Sequence, residues 1–226
     1  MKNKILIATA LFVSAYFLQS CSNSTNDKSK DGMDSSMSHM SENGSMNQDK
    51  MKMDNEMMKS MSGTMSKMDN MKMTGDFDLD FANMMVIHHQ AAIDMSEVAI
   101  AKGSDERITT MAKNIITAQK AEIEQMQRFV KNYKMPEKKM ENGEMHNELG
   151  TTMKAMMDKM HNMQMTGNTD KDFAMMMIPH HESAVKMAEE EIGHGKQLEL
   201  KKLAQKIIAD QNKEINEFKA WLSEHK

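Results

Sequence analysis

The chain has 226 residues, a length that suits one moderate domain or two small ones. Its net charge of -4, with Lys and Glu interspersed, gives no basic surface for nucleic acid, and its single Cys excludes an intrachain disulfide. After the N-terminus, no apolar run is long enough to span a bilayer. Methionine stands out, with 32 Met against one Trp, two Tyr and seven Phe.

Residues 1–20 have the pattern of a signal peptide, in which positively charged MKNK precedes the apolar run ILIATALFVSAYFL. The run ends in LQSC, which resembles a bacterial lipobox with Cys21 as the lipidated residue, although Gln19 is unusual at its position. We therefore expect an extracytoplasmic protein, lipid-anchored to a bacterial membrane on its periplasmic or cell-surface side. An ordinary secretory signal with a chance Cys is the alternative.

Residues 21–52 are predicted to form a disordered tether rich in Met and Ser. They contain almost no branched apolar side chain, so burial cannot offset the entropy that ordering would remove. The stretch MDSSMSHM at 33–40 and the MKM at 51–53 add thioethers and an imidazole to this part of the chain. A flexible Met string can wrap a soft ion, and compositional drift is the alternative explanation.

Two copies of one unit make up the rest of the chain. A shift of 92 residues, which brings His88 onto His180, aligns MKMTGDFDLDFANMMVIHH with MQMTGNTDKDFAMMMIPHH without a gap. The same shift aligns IITAQKAEIEQMQRF with IIADQNKEINEFKAW. We assign one helical repeat to 53–134, a linker containing a Pro and a Gly to 135–144, and the second repeat to 145–226.

Each repeat is predicted to contain three helices, because apolar residues recur at helical spacing and never alternate. The first helix is Met-rich and stops at an MTG turn, where Gly75 or Gly167 can adopt the left-handed conformation. In the second repeat its apolar face is formed by Leu149, Met153, Met156, Met160 and Met163.

The second helix is expected to begin near Asp78 or Asp80 and to end at Lys102, and Ser104 or Asp105 can cap the third. The predicted fold class is all-α. We expect the second and third helices of both repeats to form a four-helix core about a pseudo-twofold axis, flanked by the Met-rich helices.

The motif MMVIHHQAAIDM, residues 84–95, contains two adjacent His between Met residues. On a helix, His88 lies at the centre of the apolar face, and His89 lies on its shoulder, one turn from Met85. The second repeat has MMIPHHESAVKM at 176–187. For either copy alone, a buried core His among packing Met residues is the more common explanation.

Three features favour a soft-metal site. The His pair is adjacent and duplicated, with each pair within one turn of a Met pair. The small residues Ala91 and Ala92 leave room beside the His, and Met is used in preference to Leu beyond the needs of packing. Thioether and imidazole together suit Cu(I) or Ag(I), although imidazole also suits Cu(II). The predicted ligands are Met84, Met85, His88, His89, Met95, Met176, Met177, His180, His181 and Met187.

The third helix offers polar side chains that could orient these imidazoles. Gln119 and Glu122 match Gln211 and Glu214, on or at the edge of the apolar face. A buried carboxylate needs a partner, and an imidazole N–H on the facing helix would supply one and fix the tautomer. A solvated position at the helix edge is the alternative for Glu122.

The run DFAMMMIPHHESAVKMA, followed by IIADQNKEINEFKAWL, resembles the bacterial "domain of unknown function 305" family, and both repeats match it. The resemblance implies a ferritin-like helical fold and an association with extracytoplasmic copper binding and copper resistance. It also implies metal ligands at six positions, namely His88, His89, Met95, His180, His181 and Met187. The first repeat has Ile87 where the family usually has Pro, as at Pro179.

Catalysis is not expected. HESAV at 181–185 lacks the second His of a zincin, and EIGH at 191–194 has no counterpart in the first repeat. The expected function is to bind and buffer Cu(I) or Ag(I) for tolerance or delivery. The alternatives are a Met-rich scavenger of oxidants and a structural surface lipoprotein, both without a specific metal site.

Overall fold

The computed structural model describes residues 56–135 and 147–226, and this part of the chain forms six α-helices and no β-strand. The helices are α1 (Glu56–Asp69), α2 (Phe77–Lys102), α3 (Glu106–Asn132), α4 (Asn147–His161), α5 (Thr169–His194) and α6 (Leu198–Glu224). The predicted all-α class and the three helices of each repeat are confirmed. Cys21, the predicted signal peptide, the tether and most of the linker lie outside the described residues. None of the six helices is long and apolar enough to cross a membrane.

The helix starts follow from side-chain caps. Asp76 caps α2 by accepting a hydrogen bond from the N–H of Leu79, and Asn168 does the same for α5. The second helix therefore begins at Phe77, one residue before the earlier of the two predicted starts. Asp105 caps α3, as predicted.

The turn before each second helix differs from the prediction. Gly75 and Gly167 do have positive φ, 86° and 81°. However, α1 and α4 end earlier, at Asp69 and His161, so these glycines shape the connection and not the helix end.

A buried Asp in the first turn of each second helix holds that connection. The N–H and hydroxyl of Thr74 donate to Asp80 Oδ1 at 2.7 and 2.8 Å, and the N–H of Gly75 donates to Oδ2 at 3.1 Å. Asp172 binds Thr166 and its neighbour in the same way. The acidic helix start therefore satisfies buried backbone donors in addition to complementing the helix dipole.

The Asp two residues earlier joins the repeats. Asp78 on α2 accepts the N–H groups of Lys196 and Gln197, which precede α6, at 2.9 and 2.7 Å. Asp170 on α5 accepts the N–H and hydroxyl of Ser104, ahead of α3, at 2.9 and 3.0 Å. Because the start of each second helix meets the end of the other, α2 and α5 run antiparallel.

The packing follows this exchange. The pairs α2–α3 and α5–α6 form two hairpins that meet through α2 and α5, with a smaller contact between α3 and α6. The Met-rich helices α1 and α4 pack on α2 and α5, and α1 also contacts α5. Four of the five residues on the predicted face of α4 are buried, and Met163 is half-buried beyond the helix end. Both repeats contribute to one hydrophobic core.

Gly103→Ala tests the close approach at the junction of the repeats. A Cβ at Gly103 would lie 2.5 Å from the carbonyl oxygen of Ala99 and 2.5 Å from Asp170 Oδ1. We expect a loss of about 1–3 kcal/mol in the free energy of unfolding, measured by urea denaturation. Gly63→Ala is the matched control, since nothing lies within 4 Å of that added Cβ. Gly63→Ala should raise the free energy of unfolding by up to about 1 kcal/mol, because Ala favours an exposed helix position more than Gly does. Equal effects of the two substitutions would contradict the crowding at Gly103.

Glu191 is a buried carboxyl group that the first repeat lacks, since Ala99 occupies its position there. Burial, together with the nearby negative charge of Asp78, raises its pKa to about 9. Glu191 is therefore protonated in the folded protein at neutral pH and ionised in the unfolded chain.

This difference in protonation makes stability depend on pH. Between the ordinary pKa of 4.5 and about 9, the folded state binds one proton more than the unfolded state at this position. The contribution of Glu191 to stability therefore falls as pH rises through that range. We expect Glu191→Gln to raise the melting temperature at pH 8 by several degrees and to change it little at pH 4.5. Glu189→Gln, on the exposed face, is the control, and an equal gain at both pH values would contradict this assignment.

Candidate metal site

The central feature of the molecule is a pair of imidazoles, one from each repeat. His88 on α2 and His180 on α5 are fully buried, and their ring centroids lie 3.7 Å apart with the planes tilted by 36°. They meet because the duplicated motif occupies equivalent positions on two antiparallel helices that pack against each other.

A recess lies beside this imidazole pair, and we call it the central recess. It is small and partly open to solvent, with a volume of about 10 Å³, room for roughly one water-sized sphere. Four helices and both repeats contribute to its lining, which is formed by His88, His180, Met61, Met68, Met153, Met156, Met157, Thr64 and Ala91. Five thioethers and two imidazoles thus line one space.

Both central imidazoles are uncharged. Burial, and next the neighbouring imidazoles, lower the pKa of His88 and His180 well below the ordinary value. A neutral imidazole keeps one ring nitrogen with a free lone pair, which is the form that binds a metal ion. His180 has no hydrogen-bond partner at either ring nitrogen among the described residues.

Ser183 contacts both the pair and the recess lining. Its Oγ lies 2.7 Å from His88 Nε2 and 3.1 Å from the sulfur of Met156. The hydroxyl is also 2.8 Å from the backbone carbonyl oxygen of His180.

The shoulder imidazoles lie beside carboxylates of the third helices. His89 Nε2 is 2.8 Å from Glu122 Oε2, and Lys206 Nζ is 2.7 Å from the other oxygen of that carboxylate. Burial opposes the ionisation of Glu122, but the hydrogen bonds and charges of His89 and Lys206 outweigh it and lower its pKa. An ionised Glu122 accepts the Nε2–H of His89, so Nδ1 is the ring nitrogen through which a neutral His89 could bind an ion.

The second repeat reproduces the contact less well. His181 Nε2 lies 2.9 Å from Glu214 Oε2 but without hydrogen-bond alignment. The position equivalent to Lys206 is Asn114, so Glu214 lacks the ion pair that Glu122 has. The predicted Gln119 and Gln211 are buried, and their amides have no hydrogen-bond partner among the described residues. No hydrogen bond therefore joins either amide to an imidazole.

Of the ten predicted ligands, only His88 and His180 line the central recess. The six Met residues of the His motifs are buried in the hydrophobic core, namely Met84, Met85, Met95, Met176, Met177 and Met187. Their role as ligands stays a prediction, as does that of His89 and His181.

The Met residues that line the recess come from α1 and α4. The Met ligands predicted from the sequence lie instead in the His motifs of α2 and α5. The sequence does carry a signal for them. Met61 and Met153 are equivalent in the two repeats, and Met153 and Met156 lie on the Met-rich face that helical spacing predicts. The sequence does not show that this face packs on the imidazole pair.

A second cluster contains harder ligand atoms. Glu148, Glu190 and His194 place their ligand atoms within 4.8 Å of one another at the protein surface. His194 Nε2 lies 3.4 Å from a carboxylate oxygen of each Glu. These mutual contacts account for the arrangement without an ion.

The fold and the site define an all-helical protein with a duplicated His-His motif and a Met-lined centre. The family model described as Domain of unknown function (DUF305) matches residues 17–130 and 78–222, and the chain belongs to this family. No curated protein sequence matches the chain significantly.

Several solved structures are similar to the chain. CopM in a silver-bound form obtained by soaking is 32% identical, with a TM-score of 0.50, over 68% of this chain and 98% of CopM. CopM in the Cu(I)-bound form is 32% identical over 65% and 96%, with a TM-score of 0.49. A DUF305 protein from Streptomyces coelicolor is 23% identical over 67% and 95%, and its TM-score of 0.54 supports the fold.

Proposed function

We propose that this protein binds and buffers soft monovalent metal ions, Cu(I) or Ag(I), in the central recess. The observation that carries the proposal is the meeting of two buried, neutral imidazoles with five Met side chains in one space. Neither group must lose a proton before it binds an ion, because thioethers do not ionise and both central imidazoles have a lowered pKa.

The donor set selects for soft ions. Sulfur of Met prefers Cu(I) and related soft ions, whereas Mg²⁺ and Ca²⁺ prefer oxygen. The recess lining contains no carboxylate, so a divalent ion would enter it without charge neutralisation. The silver-bound structure of CopM supports this choice, since Ag(I) is itself a soft monovalent ion.

Location and anchoring complete the proposal. The pattern of residues 1–21 supports an extracytoplasmic protein with a lipid on Cys21, and its Met-bearing tether would collect ions near the membrane surface. Such a protein would contribute to copper tolerance or delivery. We further propose that it is a binder and not an enzyme, since the recess lining offers thioethers and imidazoles as ligands, and the hydroxyl that contacts a central imidazole, that of Ser183, is buried and also lies 2.8 Å from the carbonyl oxygen of His180.

Replacing both central imidazoles tests the site. We expect His88→Leu/His180→Leu to weaken Cu(I) or Ag(I) binding by more than about 100-fold, since loss of an outer contact alone costs 10- to 100-fold. The measurement is a titration of residues 22–226 against a competing chelator. A sample with its Met residues oxidised to sulfoxide serves as the control for thioether binding. Unchanged affinity in the double variant would rule out this site, and a scavenger or structural role would then replace it.

Two pairs of Met substitutions separate the recess from the predicted ligands in the core. Met61→Leu/Met153→Leu removes equivalent thioethers from the recess, and Met84→Leu/Met176→Leu removes equivalent thioethers from the core. Leu nearly conserves volume, so each swap should cost less than about 1.5 kcal/mol of stability. We expect only the recess pair to lower the affinity for Ag(I). If the core pair lowers it instead, the ligands lie in the His motif itself.

A further inference from the structure

The two halves of the central site differ at one position. Ser183 on α5 corresponds to Ala91 on α2, so only one repeat places a hydroxyl beside the opposite imidazole. Accordingly, His88 Nε2 has a polar partner, whereas both ring nitrogens of His180 have none among the described residues.

Ser183 Oγ lies between two of the proposed donor atoms. It is 2.7 Å from His88 Nε2 and 3.1 Å from Met156 Sδ, and both of those side chains line the recess. An ion held by these two atoms together would take the place of the hydroxyl oxygen. In the first repeat Thr64 stands where the second has Met156, so this nitrogen–sulfur pair occurs once.

The contact with Ser183 blocks coordination through Nε2 of His88 whichever atom donates. If the hydroxyl donates, it occupies the lone pair of Nε2, and if Nε2–H donates, that nitrogen has no free lone pair. The hydroxyl has another acceptor within reach, the carbonyl oxygen of His180 at 2.8 Å. It can therefore leave both donor atoms without remaining unpaired in the core.

We propose that Ser183 is an internal competitor for the metal ion, and this inference rests on the proposed function. In the metal-free protein its oxygen lies against His88 Nε2 and Met156 Sδ, where it can accept the Nε2–H and donate its own proton to the sulfur. When a soft ion enters, the Ser183 side chain rotates so that its oxygen leaves both donor atoms, its hydroxyl donates to the carbonyl oxygen of His180, and the proton of the His88 imidazole resides on Nδ1. The exchange lowers affinity, which suits a protein that buffers an ion and passes it on.

Ser183→Ala measures the competition directly. Loss of a neutral hydrogen bond that the ion must replace corresponds to a gain of about fivefold in affinity for Ag(I). The measurement is a chelator competition on residues 22–226, with the melting temperature of the metal-free protein as the check on folding. Ser183→Thr, which keeps the hydroxyl, should bind as the unsubstituted protein does.

Ala91→Ser is the matched control on the other repeat. It adds a hydroxyl beside His180 and should weaken binding, the opposite of Ser183→Ala. Tightening by both variants would indicate general loosening of the core and would overturn the proposal. Unchanged or weaker binding by Ser183→Ala would overturn it as well.

Side-chain ¹⁵N NMR of His88 supplies a readout other than affinity. The Nε2 resonance should report the bond to Ser183 in the metal-free protein and the loss of that bond on addition of Ag(I). If Ag(I) binds while that bond persists, Ser183 is not displaced and the inference is wrong. If the unsubstituted protein does not bind Ag(I) at all, the proposed function fails first, so the two failures are distinguishable.

Discussion

The contact between His88 and His180 is the constraint on which the rest of the structure depends. Two imidazoles buried against each other must both be neutral, since a charge on either would lack water and be repelled by any charge on the other. Their contact lies in the interface between α2 and α5. The outer helices then cover the pair with Met side chains, whose flexible thioethers fit an irregular space.

Duplication explains the architecture, and local differences between the copies explain its chemistry. Asp78 and Asp170 make equivalent bonds across the repeat junction, so the exchange of helix caps keeps its twofold symmetry. The polar groups near the imidazoles do not keep this symmetry. Ser183 stands where the first repeat has Ala91, and Lys206 bonds Glu122, whereas the residue equivalent to Lys206 in the first repeat is Asn114. Symmetric packing therefore carries an asymmetric set of donor atoms, and the two halves of the site need not hold an ion equally.

The features of the fold that depend on hydrophobic periodicity could be predicted from the sequence. Helical spacing and the repeat identify three helices per unit, and the central position of His88 on its helix face predicts its burial. The contact of Glu122 with an imidazole also follows, because a buried carboxylate needs a partner. The identity of the nearest Met residues did not follow. Spacing shows which residues share a helix face, but Met61 and Met153 reach the imidazoles through packing between helices, which spacing does not specify.

Because the central site is built from both repeats, neither repeat alone could form it. One repeat supplies a single central imidazole and about half of the recess lining, so the second copy completes the donor set in addition to burying the first. Under the proposed function, mild acid should affect binding little, since thioethers do not protonate and burial lowers the pKa of both central imidazoles. Protons would therefore compete weakly with the proposed soft ion. The control on affinity that we propose lies in the protein itself, in the hydroxyl of Ser183 beside His88 Nε2 and Met156 Sδ.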